Sequence, residues 1–193
     1  LDFVRPEWFQ TATYPYDPPL ADNGWWQAEA IADRLGNASI NYILASPYLR
    51  AIQTAVPLAK RLNLPIYPEK GAMEWLPPNW TDGFPALTPP ALLTEEYPSV
   101  DFGYRSKVVP IYPETKEVLH LRTATMLDAI IAEFSGVVVI VTHKEAATAM
   151  VRYLVGDRVP WINPPSVGAI YGLSLDDRGI WQMSVNADTS HLS

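Results

Sequence analysis

Five consecutive β-branched residues, Val137-Val138-Val139-Ile140-Val141, run from Gly136 into Thr142-His143. Such side chains are stiff and crowd a helix, so the run is read as a strand. It shows no polar alternation, which is the pattern of an inner parallel strand covered on both faces. Parallel neighbours need crossover connections, usually helices. The flanking segments supply them: "PETKEVLHLRTATMLDAIIAEF" before the run and "EAATAMVRYLVG" after it both have helical spacing. Glu114 and Glu117 stand near the start of the first, where the helix dipole favours acids.

The earlier chain repeats the alternation. "LDFV", "INYILASP" and "LPIYPEKG" read as strands. Between them lie two helices. "GWWQAEAIADRLGN" places Trp26, Ala30, Ile31 and Leu35 on one face and stops at Gly36-Asn37. "SPYLRAIQTAVPLAKRL" starts with Ser46 as N-cap and Pro47 at the first helical position. "AIYGLSLDDRGIWQMSVN" reads as a terminal hairpin turning near Asp177-Arg178-Gly179. The predicted order is β-α-β-α-β, an insertion, then α-β-α-β-β. That order specifies an α/β fold, a three-layer α/β/α arrangement around a mainly parallel sheet. Residues 1–193 are expected to form one domain. Residues 72–113, rich in proline and aromatic residues, form an insertion with helical character at "PPALLTEEYP" and the role of a cap or binding surface.

Composition narrows the function classes. A formal net charge of −7 argues against a nucleic-acid surface and against an anionic membrane. No apolar run approaches the ~20 residues that span a bilayer, and no signal peptide is visible. With no cysteine there is no disulfide or thiolate-metal framework, which fits a cytoplasmic or nuclear protein. No histidine or carboxylate spacing resembles a metal site.

In open α/β sheets, ligands bind beyond the carboxyl ends of the strands. The first strand delivers Arg5 there. The second delivers Ser46, with Arg50 in the next helical turn. The Val-rich strand delivers Thr142 and His143, and Glu74 follows the third strand. Two guanidinium groups can clamp phosphate oxygens, the histidine adds a donor, and a protonated glutamate can serve a leaving oxygen. Taken singly, each has an ordinary reading: Arg5 and Arg50 as surface cations, Glu74 as a solvated loop acid, His143 as a satisfied core residue. Their shared edge favours the phosphate site. His120 is read as structural or exposed, and His191 has no assigned role.

Three segments in order carry a family resemblance. "ASPYLRAIQTA" resembles the SPxxRxxQTA motif of the histidine phosphatase (phosphoglycerate mutase-like) superfamily. "VVVIVTH" resembles its late strand ending in histidine, and "PLADNGWWQAEAIADRL" its PL…G…QA…L segment. "YPYDPPLADNG" and "GAMEWLPP" are similar to the branch holding the T-cell-receptor-signalling suppressor phosphatases and the insect ecdysteroid-phosphate phosphatase. The tail "GIWQMSVNADTSHLS" is similar to the fungal phosphatase-like subunit of transcription factor IIIC. The resemblance implies a phosphoglycerate mutase-like fold and hydrolysis of phosphomonoesters through a phosphohistidine, with no metal or organic cofactor. By position it implies that Arg5, Arg50 and His143 bind the phosphate and that Glu74 donates the proton.

Two departures stand out. Pro6 follows Arg5 where the family has its nucleophilic histidine, and Lys144 follows His143 where glycine or alanine is usual. The flank "PEWFQTATYPYDPPL" nevertheless matches the branch, while about ten polar residues that precede such a flank are missing. The pattern therefore predicts that Arg5 and Pro6 are not neighbours in the intact protein and that the nucleophile lies between them. Three functions compete: a phosphatase of small-molecule or protein phosphomonoesters, a non-catalytic relative serving as an assembly module, and a mutase on a phosphorylated sugar acid. The long insertion disfavours the mutase. Neither membrane nor direct nucleic-acid partners are expected. Parts of residues 77–112 offer a surface for a homodimer, which nothing in the pattern demands, and a protein-complex partner is the other option.

Overall fold

The computed structural model describes residues 7–193. Strand "LDFV", Arg5 and the Arg5–Pro6 junction lie outside the described residues. After the short helix α1 (Trp8–Thr11) come α2 (Asp22–Leu35), β1 (Ile40–Ala45), α3 (Leu49–Leu62) and β2 (Ile66–Pro68). The insertion contains α4 (Pro90–Leu93), and α5 (Lys116–Glu133), β3 (Val137–Val141) and α6 (Lys144–Val155) follow. A hairpin of β4 (Ile170–Leu175) and β5 (Trp181–Asp188) completes the elements.

β1 lies between β2 and β3, and both pairings are parallel. Its register sets Ile43 against Ile66 and Val139, and Ala45 against Pro68 and Val141. All three strands therefore end at one edge. Side chains alternate across this sheet as a pleat requires. Ile43, Ala45, Val139 and Val141 face a cluster with Ile52, Val56 and Ala59 of α3. Leu44, Val138 and Ile140 face Met126, Ile130, Ala149 and Met150 of α5 and α6. Ile43 and Leu44 are fully buried, each worth about 1.5–3 kcal/mol of transfer free energy. At the strand entrance Gly136 has φ +99°, and the Asn41 carboxamide oxygen accepts the Val137 N–H at 2.8 Å. A Cβ on Gly136 would sit 2.3 Å from that oxygen, so only glycine fits.

Three expectations are corrected. The Val-rich strand is half-buried rather than fully covered, with Val137 48% exposed at its entrance. On α2 the core face is Trp25, Ala28, Ala32 and Leu35, while Trp26 is 55% exposed. Adjacent tryptophans lie about 100° apart on a helix, and packing against α3 selected the first. Helix α3 begins at Leu49, beyond Ser46 and Pro47, and Tyr48 holds the N-cap position without a side-chain cap. Asp17, fully buried, takes the Leu49 N–H at 2.7 Å and the Thr88 N–H at 2.8 Å instead. The α5 N-cap is Thr115, whose hydroxyl accepts the Val118 N–H at 3.3 Å.

The insertion is tied to the sheet by buried acceptors. The Glu69 carboxylate, just after β2, receives Gly71 N–H (2.7 Å), Tyr104 O–H (2.8 Å) and Lys107 N–H (2.9 Å). Gln53 on α3 accepts the Leu20 N–H at 2.6 Å and donates to the Tyr97 hydroxyl at 2.8 Å. Among the described residues, no helix is long and apolar enough to cross a membrane.

Candidate active site

The common strand edge brings Ser46, His143 and Arg50 together. Ser46 leaves β1, its N–H donating to the Val141 carbonyl at 2.8 Å, so it lies beside the end of β3. His143 leaves β3 as the N-cap residue of α6. Its Nε2 lies 2.8 Å from Ser46 Oγ and its Nδ1 lies 3.3 Å from Arg50 Nη2. A guanidinium can only donate, so Nδ1 is the acceptor and the ring proton sits on Nε2. Burial, then the charges of Arg50 and Arg122, hold the His143 pKa well below its ordinary value. His143 is therefore a neutral imidazole of one tautomer at neutral pH.

Tyr48 packs under both groups. Its ring centroid lies 4.3 Å from the Arg50 guanidinium carbon and 5.1 Å from the His143 ring, in edge contact. The residue is fully buried, and among the described residues its hydroxyl has no hydrogen-bond partner. Burial drives its pKa upward, against the pull of Arg50. Arg50 itself has one side-chain hydrogen bond, to His143, and no carboxylate partner among the described residues. Most of its five donors remain available to an anion.

Glu74 lies on the segment after β2. Its Oε1 accepts its neighbour Trp75's N–H at 2.8 Å. Burial raises its pKa, opposed first by the Trp75 hydrogen bond; the Glu145 charge pushes it further up, while Arg50 and the Ala146 N–H pull it down. The influence of Arg50 and of the α6 amide places Glu74 beside the Arg50–His143 pair. Lys144 is exposed at the start of α6. Lys116 pairs with Glu145 and stacks 3.8 Å from the Trp75 ring centre. The fold thus assembles Arg50, His143 and Glu74, while Arg5 lies outside the described residues. A separate surface hollow between Ala59, Asn63, Pro65 and Pro98 sits at the other end of α3. It is about 20 Å from Arg50 at 1.5 Å rise per residue, and does not belong to this cluster.

Sequence reasoning missed Tyr48, Asp17 and Arg122. Arg122 was hidden inside an apparently ordinary helix, yet it is 4% exposed. The available signal was its place between Leu119 and Met126, on the apolar stripe of α5. Glu114, just before α5, is 1% exposed and forms an ion pair with Arg122, a burial that its place near a helix start does not signal.

Comparison with known proteins fits this geometry. The model of the histidine phosphatase superfamily (branch 1) matches residues 7–188. The chain belongs to the histidine phosphatase superfamily. Among curated relatives, the transcription factor tau 55 kDa subunit of Saccharomyces cerevisiae is 27% identical, over 79% of this chain and 39% of that protein. Human ubiquitin-associated and SH3 domain-containing protein B is 30% identical, over 89% of this chain and 29% of that protein. The histidine phosphatase chain therefore spans less than two-fifths of either relative. The ecdysone phosphate phosphatase of Bombix mori, solved with tungstate, superposes with a TM-score of 0.69 at 23% identity, covering 92% of this chain and 78% of that one. Mycobacterial glucosyl-3-phosphoglycerate phosphatase gives 0.66 at 21%, covering 90% and 88%. At such identities these structures establish the shared phosphoglycerate mutase-like fold.

Proposed function

We propose that the protein hydrolyses phosphomonoesters through a phosphohistidine, with the substrate's phosphate held by Arg50 and His143. The observation that carries this reading is Arg50. It is a partly buried cation at the strand edge, braced by Tyr48 and His143, with no carboxylate partner among the described residues. In the proposed reaction a histidine nitrogen bonds to phosphorus as the ester P–O bond breaks. Glu74, kept protonated by burial, gives its proton to the leaving oxygen. Water then attacks the phosphohistidine, releasing phosphate and the free imidazole. The nucleophile belongs after Arg5, in a segment between Arg5 and Pro6 that this sequence lacks. Arg5 supplies the second guanidinium in this reading.

A second reading is favoured by Pro6 itself. With no histidine following Arg5, the pocket retains an anion but does not turn it over, and the domain serves in assembly, as a similarity to a transcription factor subunit suggests. The intact protein separates the two. Release of 4-nitrophenol from its phosphate ester, abolished in Arg50→Ala, supports the phosphatase. Calorimetric binding of inorganic phosphate without turnover supports the assembly module. Neither binding nor turnover removes both.

A further inference from the structure

Arg122 uses every donor it has. Nε bonds Glu114 Oε1 at 2.6 Å, and Nη2 reaches Glu114 Oε2 at 2.9 Å and the Glu74 carbonyl at 3.2 Å. Nη1 bonds the Gly71 carbonyl at 2.6 Å and the Met73 carbonyl at 3.1 Å. The carbonyl between them, on Ala72, accepts the Thr142 hydroxyl at 2.7 Å. Four successive carbonyls, from Gly71 to Glu74, are thus held from α5 and from the residue before His143. Glu114 extends the clamp past Glu74. Its Oε2 accepts the Leu76 N–H at 3.3 Å, its N–H donates to the Leu76 carbonyl at 2.7 Å, and its carbonyl accepts the Trp75 indole N–H at 3.0 Å.

An ion pair needs only the fork of two bonds between guanidinium and carboxylate. Here three further N–H groups are directed at one irregular segment, and that segment carries Glu74. General acid transfer demands a heavy-atom approach of about 2.6–3.2 Å. Loops are ordinarily the least rigid support for such a group. We propose that Arg122, held by Glu114, is a positioning residue that fixes the backbone at Glu74 so that its carboxyl meets the leaving oxygen. This rests on the phosphatase reading. Arg122 does not itself touch the phosphate; its head group is fully occupied.

The test compares two leaving groups in the intact protein. 4-Nitrophenyl phosphate expels an anion that needs no proton at neutral pH, whereas a simple alkyl phosphate expels an alkoxide that does. The variants are Arg122→Met with Glu114→Leu, which replaces both charges by apolar side chains, and Arg122→Lys, which keeps the charge but not the planar fork. Thermal melts identify the folded variants. The expected result is a loss of about 10²-fold in kcat/KM for the alkyl ester, the range of a general acid, against less than about 3-fold for the nitrophenyl ester. Glu74→Gln should likewise lose more on the alkyl ester than on the nitrophenyl ester, and in the Arg122 variants inorganic phosphate affinity should stay at the wild-type value. Equal losses on the two esters, or none, overturn the positioning role while leaving the phosphatase reading intact. No turnover of either ester by the wild-type protein overturns both.

Discussion

Arg122 gives all its guanidinium N–H groups to protein acceptors, whereas the Arg50 guanidinium shows, among the described residues, one hydrogen bond, to a neutral histidine, and a stack on Tyr48. Both side chains come from helices packed on the same sheet, one on each face. Buried or half-buried cations are costly unless paired. Where the fold supplies a carboxylate and carbonyls, as around Arg122, the cation is scaffold. Where the fold supplies aromatic support and, among the described residues, no carboxylate, as around Arg50, the open donors are those the proposed phosphate would take. Satisfaction of donors, more than residue type, separates structure from function here.

The largest effect should come from breaking the satisfied side. Arg122→Met alone leaves Glu114 buried without its partner and should cost about 3–5 kcal/mol in urea denaturation. The double change with Glu114→Leu should recover most of that. Identical midpoints for the single and double variants would show that the pair is not coupled.

Breaking the open side should do the opposite. Arg50→Ala should lower inorganic phosphate affinity about 10- to 100-fold, from charged hydrogen bonds worth about 1.5–3 kcal/mol. Its unfolding free energy should fall by about 1 kcal/mol or less, the worth of one hydrogen bond and well below the Arg122 effect. A large stability loss with unchanged phosphate binding would make Arg50 scaffold as well.

Proton linkage sharpens the contrast next. The native His143 pKa lies well below the ordinary 6.5, so below that pH the unfolded chain takes up a proton that the native site refuses. Stability should therefore fall as pH drops through 6.5 towards the native value, and His143→Gln should flatten that slope in Tm-against-pH curves. Glu74 has the reverse sign. Its pKa is raised above 4.5, so its contribution is fully present below that pH and is lost as pH rises through the native value. Glu74→Gln should remove that loss.

The smallest effect is expected at Tyr48. Tyr48→Phe keeps the ring under Arg50 and His143 and removes a buried hydroxyl that has no partner among the described residues. It should leave phosphate binding unchanged and shift stability by about 1 kcal/mol or less, towards greater stability. A fall in phosphate affinity would reveal that the hydroxyl reaches the ligand.

Much of this was readable in advance. Strand and helix alternation gave the layered fold, because periodicity reports burial along a single element. The strand ends named Arg50 and His143, because parallel strands bring their carboxyl ends to one edge. What was misread depends on neighbours. Trp25 and Trp26 offer two faces, and only α3 decides between them. Ser46 has the chemistry of an N-cap, but its hydroxyl meets His143 and the Tyr48 N–H, and Asp17 supplies the first helical N–H with an acceptor. Glu114 looks like a helix-start acid, and only its contact with Arg122 makes it a buried clamp.

The sequence by itself determined the element order, the apolar faces that make the sheet a central layer, and the kinds of group at its carboxyl edge. These follow from local spacing and side-chain chemistry. The tertiary structure alone decided which arginine keeps open donors among the described residues, which nitrogen of His143 carries the proton, and what holds the backbone at Glu74. Each of those turns on hydrogen bonds between residues far apart in the chain: 93 positions from Arg50 to His143, 97 from Ser46 to His143, and 51 from Gly71 to Arg122. A donor's partner across such a distance is set by how the layers pack, which no local pattern encodes.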